Sequence, residues 1–219
     1  MKRIIIICEG PTEKEFCNNV LQPHFISGNI QLQTPLIKKS GGGIVAWQVL
    51  KKQIENHLRT DKTAIVTTLI DYYGLKARHE FPDWESAHQN PNKALRMDSL
   101  ENSMLNDVDP GLRYRFMPYI QLHEFEGLLF SDATVFEKNF LEEEFVNKTE
   151  FEEIFDRFPN PEDVNDHPET APSKRLEKHL KGYNKIVYGA IIAQETGLHT
   201  IRAKCSRFNH WLTKLENIK

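Results

Sequence analysis

Three segments of the chain have the apolar pattern of core β-strands, and each leads into acidic residues. The segments and the acids that follow them are residues 4–8 with Glu9, residues 64–70 with Asp71, and residues 114–122 with Glu124 and Glu126. Continuous apolar runs rich in β-branched residues are typical of parallel strands that are covered on both faces. The pattern therefore predicts an α/β fold, with a mainly parallel sheet flanked by helices and a helical C-terminal portion.

Helical periodicity occurs between and after these strands. The predicted helices are residues 11–26, 44–58, 93–105, most of 133–158, 173–180, 183–195 and 205–215. We expect a single domain over residues 1–219, with an α/β core of about 1–135 and a helical portion of about 136–219 that is first acidic and then basic.

Several shorter segments break this pattern. Residues 30–38 alternate as a further strand would, and Pro118 predicts an edge position or a bulge in the third core strand. The glycine-rich residues 40–43 predict a flexible connector, with a phosphate contact through backbone N–H groups as the weaker alternative. Residues 76–92 predict an excursion or lid, and residues 197–204 predict a connector between helices.

Composition narrows the class of protein. The 219 residues are 39% hydrophobic and carry a net charge of −3, as a soluble globular protein does. No apolar run approaches the roughly 20 residues needed to cross a bilayer, and the first residues lack a signal-peptide cleavage site. Three widely spaced cysteines, Cys8, Cys17 and Cys205, favour reduced thiols over a disulfide framework or a zinc site. We expect a cytoplasmic protein that does not enter a membrane.

Charge is distributed unevenly along the chain. Residues 170–219 contain ten Lys or Arg against three Asp or Glu, a balance of +7, so the remainder carries −10. Most of the acid lies in residues 137–169. This separation of acidic from basic residues is consistent with a metal site and a phosphate-facing surface. It is equally consistent with acidic and basic surfaces that are exposed to solvent and have no specific role.

The acids at the strand ends predict a divalent-cation site. The carboxyl ends of parallel strands meet at one edge of a sheet, where open α/β folds bind ligands. Glu9, Asp71 and Glu126 would be the direct ligands of Mg²⁺ or Mn²⁺, which prefer carboxylate oxygens. Candidates for a second ion or for outer positions are Glu13, Glu124 and Asp132. Taken singly, each of these acids is also explained as an exposed loop residue.

Several motifs in fixed order resemble the bacterial domain-of-unknown-function family 4276. They are Cys-Glu-Gly-Pro-Thr-Glu from Cys8, Leu-Ile-Asp-Tyr-Tyr-Gly-Leu from Leu69, His-Glu-Phe-Glu-Gly-Leu-Leu-Phe-Ser-Asp from His123, Glu-Thr-Ala-Pro-Ser-Lys-Arg-Leu from Glu169, and the stretch from Ile201 to Leu212. That family is in turn similar to TOPRIM-type domains of topoisomerases, primases and overcoming-lysogenization-defect nucleases. The resemblance implies a Rossmann-like sheet and metal-dependent phosphoryl transfer on nucleic acid, often linked with phage defence.

The resemblance also implies roles for individual residues. Glu9 matches the glutamate after the first TOPRIM strand, and Glu13 matches the second acid of the Glu-Gly-x-x-Glu pattern in the nuclease branch. Asp71 matches the first aspartate of the Asp-x-Asp motif, but Tyr73 stands at the second. Glu126 or Glu124 would then supply the missing oxygen ligand, and Glu126 is preferred because Phe-Glu before an apolar run recurs in related families.

Basic residues of the tail complete the predicted site. Lys174, Arg175, Arg202 and Lys204 are the candidates for contacting nucleic-acid phosphates, and Lys174 is also the candidate for neutralising charge in the transition state. Lys174 and Arg202 are preferred because they lie inside family-like motifs. The alternative for such residues is an exposed helix charge without a specific role.

Three functions remain open at this point. The first is a TOPRIM-type nuclease that uses Mg²⁺ or Mn²⁺ to hydrolyse phosphodiester bonds in DNA or RNA. The second is a catalytically degenerate subunit that binds a partner ATPase or nucleic acid, as the missing second aspartate suggests. The third is a phosphatase or nucleotidyltransferase acting on small nucleotides. The sequence leaves the oligomeric state open.

Overall fold

The computed structural model describes residues 1–38, 43–165 and 168–218, which form two compact units. The first unit contains residues 1–18 and 22–122, and the second contains residues 19–21 and 123–218. Apart from residues 19–21, the division along the chain falls after Leu122. The single domain with an α/β core ending at about residue 135 stays a prediction. Three residues of the predicted glycine-rich connector, 40–42, lie outside the described residues.

A parallel sheet organises the first unit. Its described strands are β1 (Lys2–Cys8), β2 (Ile30–Gln33), β3 (Ile65–Asp71), β4 (Phe116–Met117) and β5 (Ile120–Gln121). They follow the order β2-β1-β3-β4, β5 also pairs with β3, and every pairing is parallel. The prediction of a parallel α/β sheet is confirmed.

The helices of the first unit lie between these strands in the chain. They are α1 (Pro11–Phe16), α2 (Gln22–Ser27), α3 (Trp47–Thr60), α4 (Trp84–Gln89) and α5 (Lys93–Asp107). A π-helical turn, Cys17–Leu21, joins α1 to α2, so the helix predicted over residues 11–26 is present with a local widening. Short 3₁₀ turns occur at Tyr72–Gly74, Ala77–His79 and Arg113–Arg115.

Pro118 divides the third predicted core strand into β4 and β5. Because proline has no N–H to donate, the ladder is interrupted there. The Thr68 hydroxyl bridges the gap, donating to the Tyr119 carbonyl oxygen at 2.8 Å and accepting from the Tyr119 N–H at 3.0 Å. The predicted irregularity at this proline is confirmed.

Apolar side chains on one face of the sheet and on α3, α4 and α5 form a single buried cluster. Trp47, Leu50 and Ile54 are buried on one face of α3, as helical spacing requires. Phe81 and Ala87 are buried in the same cluster, although they belong to the segment predicted as an excursion or lid. That segment therefore contributes to the core, where the Phe81 ring lies 5.4 Å from the Trp47 ring of α3, centroid to centroid.

Short helices make up most of the second unit. They are α6 (Ala133–Asn139), α7 (Lys148–Arg157), α8 (Pro172–His179), α9 (Lys185–Thr196), α10 (Leu198–Lys204) and α11 (Ser206–Glu216), with 3₁₀ helices at Phe125–Ser131, Glu142–Glu144, Pro161–Asp163 and Pro168–Thr170. None of the described helices combines the length and the apolar character that crossing a lipid bilayer requires.

The prediction of a connector over residues 197–204 was wrong. Gly197 has φ +77° and lies between α9 and α10, so this glycine turns the chain from one helix directly into the next. Ile201 on α10 is fully buried. A short helix with one buried apolar position has too weak a periodicity to be recognised from sequence.

Candidate functional site

Glu9 and Asp71 lie together at the carboxyl edge of the sheet. Glu9 follows the last residue of β1, and Asp71 is the last residue of β3, the neighbouring parallel strand. The Glu9 N–H donates to the Leu69 carbonyl oxygen at 3.1 Å, which extends the ladder by one residue. The Asp71 N–H then donates to Glu9 Oε2 at 3.0 Å. The two residues therefore lie at neighbouring positions of this edge, and their role as a pair of metal ligands stays a prediction.

A tight turn after β3 packs against the Glu9 carboxylate. A methyl group added at Gly74 would lie only 3.0 Å from Glu9 Oε1, which is tighter than most Cβ contacts, so the carboxylate would have to shift slightly to make room. Gly43, with φ +95°, also faces this oxygen, and a Cβ there would lie 4.0 Å from it. The carboxylate is therefore held by the Asp71 amide on one oxygen and approached by glycine backbone on the other.

Glu13 has a structural contact of its own in this region. Only 3% of it is exposed, and its Oε2 accepts a hydrogen bond from the Gly10 N–H at 2.8 Å, just before α1 begins. This contact is the half of a capping box in which the third helical residue accepts from the N-cap amide, and it orders the turn from β1 into α1. A role for Glu13 as a metal ligand stays a prediction.

Tyr73, where the expected resemblance would have placed a second aspartate, is half-buried. Tyr73 presents its ring to the ammonium group of Lys76, which lies 5.3 Å from the ring centroid. A tyrosine in this place supplies an aromatic face where a carboxylate would supply an oxygen ligand. Any cation held beside Glu9 and Asp71 would therefore take its further ligands from other sources.

The two acids fit a hydrated divalent ion. Among the described residues, no group of three or more His, Cys, Asp and Glu side chains is arranged to hold a metal. Mg²⁺ is usually bound through one or two carboxylates, and it keeps several waters and substrate phosphates as its other ligands. Glu9 and Asp71 match that sparse donor set, with one carboxylate fixed in place by a backbone amide.

Glu126 lies in the second unit and is bound by a lysine. This glutamate in the 3₁₀ helix Phe125–Ser131 is fully buried, and Lys185 Nζ lies 2.9 Å from its Oε1 and 3.1 Å from its Oε2. Burial raises the pKa of Glu126 to about 7, although the Lys185 ammonium lowers it. The Lys185 ammonium group thus contacts both carboxylate oxygens of Glu126, the atoms that would bind a metal. A ligand role for Glu126 beside Glu9 and Asp71 stays a prediction.

Glu124 and Asp132 begin helices of the second unit. Glu124 Oε2 accepts from the Ser173 N–H at 2.9 Å in the first turn of α8. Asp132 is the N-cap of α6, where its Oδ1 accepts from the Thr134 N–H at 3.0 Å. Carboxylates at helix N-termini satisfy N–H groups that have no partner inside the helix. Both acids thus have local structural roles, and their metal roles stay predictions.

The four predicted phosphate-contacting cations differ in their surroundings. Lys174 is exposed and pairs with Glu177 at 2.6 Å, a hydrogen bond that raises the pKa of Lys174. Arg175 donates from Nε to the Thr170 carbonyl oxygen at 2.9 Å. Arg202 forms a bidentate pair with Glu216. Lys204, the fourth candidate, is exposed.

Two residues that the sequence did not single out have clear roles in the second unit. Lys185 neutralises Glu126, as described above. Glu162 is 1% exposed and accepts from the N–H groups of Arg207 at 2.8 Å and Phe208 at 3.1 Å, in the first turn of α11. Burial raises the pKa of Glu162 above its usual value, and the two amide contacts offset only part of this rise. Nothing in the acidic run distinguishes this glutamate from its neighbours, because its partners lie about 45 residues away.

Comparison with known proteins gives one match. The family model described as "Domain of unknown function (DUF4276)" matches residues 8–216, which is nearly the whole chain. No curated protein and no solved structure matches the chain.

Proposed function

The chain belongs to the DUF4276 family, and from that premise we propose that it is a metal-dependent nuclease of TOPRIM type. It hydrolyses phosphodiester bonds in DNA or RNA, in an activity linked with phage defence. The observation that carries the proposal is the pair of strand-end acids, in which the Asp71 amide holds the Glu9 carboxylate at the carboxyl edge of the sheet.

Each residue of the pair has a definite task in this proposal. Glu9 and Asp71 would hold Mg²⁺ or Mn²⁺, and a bound ion of this kind would polarise a phosphoryl oxygen and lower the pKa of a water molecule. The Asp71 N–H keeps the Glu9 carboxylate in one orientation, and glycine at positions 74 and 43 places no side chain against its other oxygen. Preorganised ligands of this kind reduce the rearrangement that binding requires.

Isosteric substitution of the acids tests the proposal. Glu9→Gln and Asp71→Asn remove a negative charge with little change in shape, so each should lower Mn²⁺-dependent cleavage of a labelled oligonucleotide by about 100-fold or more. Glu85→Gln, at an exposed position of α4, is the matched control and should cleave like the wild type. Cleavage by the Glu9→Gln/Asp71→Asn double variant at the wild-type rate would overturn the proposal.

A second candidate function is a catalytically degenerate subunit that binds a partner ATPase or nucleic acid. The presence of Tyr73, whose ring faces Lys76, at the position of the second aspartate favours it. Titration calorimetry with Mn²⁺ separates the two candidates. Binding of Mn²⁺ that is lost in Glu9→Gln supports the nuclease, whereas an inability to bind Mn²⁺ together with co-purification of an ATPase supports the degenerate subunit.

A further inference from the structure

The chain after β2 carries a lysine to the same edge of the sheet as Glu9. Beyond the end of β2, the Cys8 N–H donates to the Pro35 carbonyl oxygen at 2.9 Å, and the Ile37 N–H donates to the Cys8 carbonyl oxygen at 3.0 Å. These bonds continue the parallel pairing with β1 as far as the bridge between Cys8 and Leu36. Lys38 therefore lies at the carboxyl edge of the sheet. Its segment continues β2, which is the neighbour of β1, the strand that ends just before Glu9.

A buried glutamine clamps this segment to α3. Gln53 is 5% exposed, its Oε1 accepts from the Lys38 N–H at 2.8 Å, and its Nε2 donates to the Leu36 carbonyl oxygen at 2.9 Å. Both polar atoms of the amide are satisfied by backbone groups of one segment, which fixes that segment precisely. The backbone of Lys38 is thus held against α3 while its side chain is exposed.

A groove of about 570 Å³ runs along α3 from this point. Gln48, Lys52 and Asn56 line it at intervals of four residues, so they form one row on the helix and span about 12 Å. Besides Lys52, the lining residues that can carry a positive charge are Lys38 and His57. The volume lies in the range of ligand-binding clefts.

The groove is electropositive. None of its lining residues is acidic, and neither Lys38 nor Lys52 forms an ion pair with any of the described residues. Burial lowers the pKa of His57, which also lines the groove, and the nearby Lys38 ammonium lowers it further. In the tail, by contrast, the predicted phosphate contacts Lys174 and Arg202 are paired with glutamates.

We propose that this groove binds the phosphodiester backbone of a nucleic-acid strand and directs it to Glu9 and Asp71. This inference rests on the proposed function, since it names the surface that would hold the nuclease substrate. Lys38 and Lys52 neutralise phosphates, the amide groups of Gln48 and Asn56 donate hydrogen bonds to phosphate or sugar oxygens, and Gln53 is a positioning residue for Lys38.

Oligonucleotide binding without metal tests the inference independently of cleavage. Fluorescein-labelled single-stranded DNA and RNA oligonucleotides are titrated with protein in EDTA, and anisotropy gives Kd at several salt concentrations. We expect Lys38→Glu/Lys52→Glu to raise Kd at least tenfold for the strand type that the protein binds. Lys38→Gln/Lys52→Gln should reduce the slope of log Kd against log salt by about 1.4, the value for two phosphate contacts on a single strand.

A matched variant controls for the change in net charge. Lys138→Glu/Lys214→Glu alters two exposed helical lysines of the second unit by the same total charge and should bind like the wild type. Thermal unfolding of every variant checks that each is folded. Gln53→Leu should weaken binding in the same direction as the lysine variants, because it releases the segment that carries Lys38.

The outcomes separate this inference from the proposed function. Weaker binding by the groove variants alone supports the inference, even if no variant cleaves in Mn²⁺ and the nuclease proposal fails. Wild-type cleavage together with equal binding by the groove and control variants overturns the inference and leaves the nuclease proposal standing. A wild-type protein that binds neither DNA nor RNA overturns the inference, as does equal weakening of the groove and control variants.

Discussion

Glu126 offers a test of how the protein interior sets the charge of a carboxyl group. It is fully buried, and Lys185, the lysine that contacts it, has a side chain that is 41% exposed. Glu126→Gln keeps the size and shape of the side chain and removes its titration. Lys185 remains able to reach water in the variant, so the substitution does not bury an unpaired charge.

The expected magnitude follows from the pKa. Burial raises the pKa of Glu126 from 4.5 to about 7 in the folded protein. Between these two pH values the folded state binds more protons than the unfolded state, so stability falls as pH rises through this window. Other titrating groups contribute equally to the free energy of unfolding of the wild type and of Glu126→Gln, so their contributions cancel in the difference. From pH 5 to pH 8, the stability of Glu126→Gln relative to the wild type should therefore rise by roughly 2 to 3 kcal/mol.

Urea denaturation in EDTA at pH 5, 6, 7 and 8 measures this difference, with tryptophan fluorescence as the signal because Trp211 lies in the same unit. Glu153→Gln, at an exposed position of α7, is the control and should show a constant difference from the wild type. A constant difference for Glu126→Gln would refute the reasoning, because it would mean that Glu126 titrates alike in both states. A variant that loses stability towards pH 8 would show that the Lys185 ion pair outweighs burial.

Three further substitutions test contacts described above. Gly74→Ala should lower Mn²⁺ affinity at least tenfold by calorimetry while changing stability little, because its methyl group would displace Glu9 Oε1. Glu162→Ala should lower the free energy of unfolding by about 3 kcal/mol in urea, because two amides at the start of α11 lose a charged acceptor. Arg202→Met should lower it by about 1 kcal/mol and leave oligonucleotide Kd unchanged, since its guanidinium is bound to Glu216.

Each of these substitutions has its own control. Gly28→Ala, whose methyl group would lie 3.5 Å from the Phe25 carbonyl oxygen in ordinary contact, should leave Mn²⁺ affinity unchanged. Glu162→Gln keeps one acceptor and should cost less stability than Glu162→Ala, and equal costs would contradict the helix-capping role. A rise in oligonucleotide Kd for Arg202→Met at unchanged stability would instead favour the phosphate contact predicted from its motif.

The position of Glu9 and Asp71 could be predicted because it depends on local patterns. Apolar runs rich in isoleucine and valine specify buried parallel strands, and such strands present their following residues at a common edge. Pro118 was informative for the same reason, since its missing N–H interrupts any ladder. In each case, chemistry within a few residues of the site decides the structure.

The remaining contacts could not be predicted because they join distant parts of the chain. The lysine that neutralises Glu126 lies 59 residues later, and Gln53 reaches back 15 residues to Lys38. No pattern distinguishes these polar residues from exposed ones on the same helices. Whole-chain charge counts pointed to the tail as the basic surface, but ion pairing within the second unit engages Arg202, whereas Lys38 and Lys52 form no ion pair with a residue in the described part of the chain.

The hydrogen bond from the Asp71 backbone to Glu9 also provides a spectroscopic reporter. The proton of this amide points at the carboxylate that is proposed to bind metal, so its chemical shift depends on whether that carboxylate is charged, neutral or coordinated. In an ¹⁵N-labelled sample, a single cross-peak would follow the ionic state of Glu9 in solution. A diamagnetic Mg²⁺ titration could thus be read at one backbone position, without any substrate and without altering the protein.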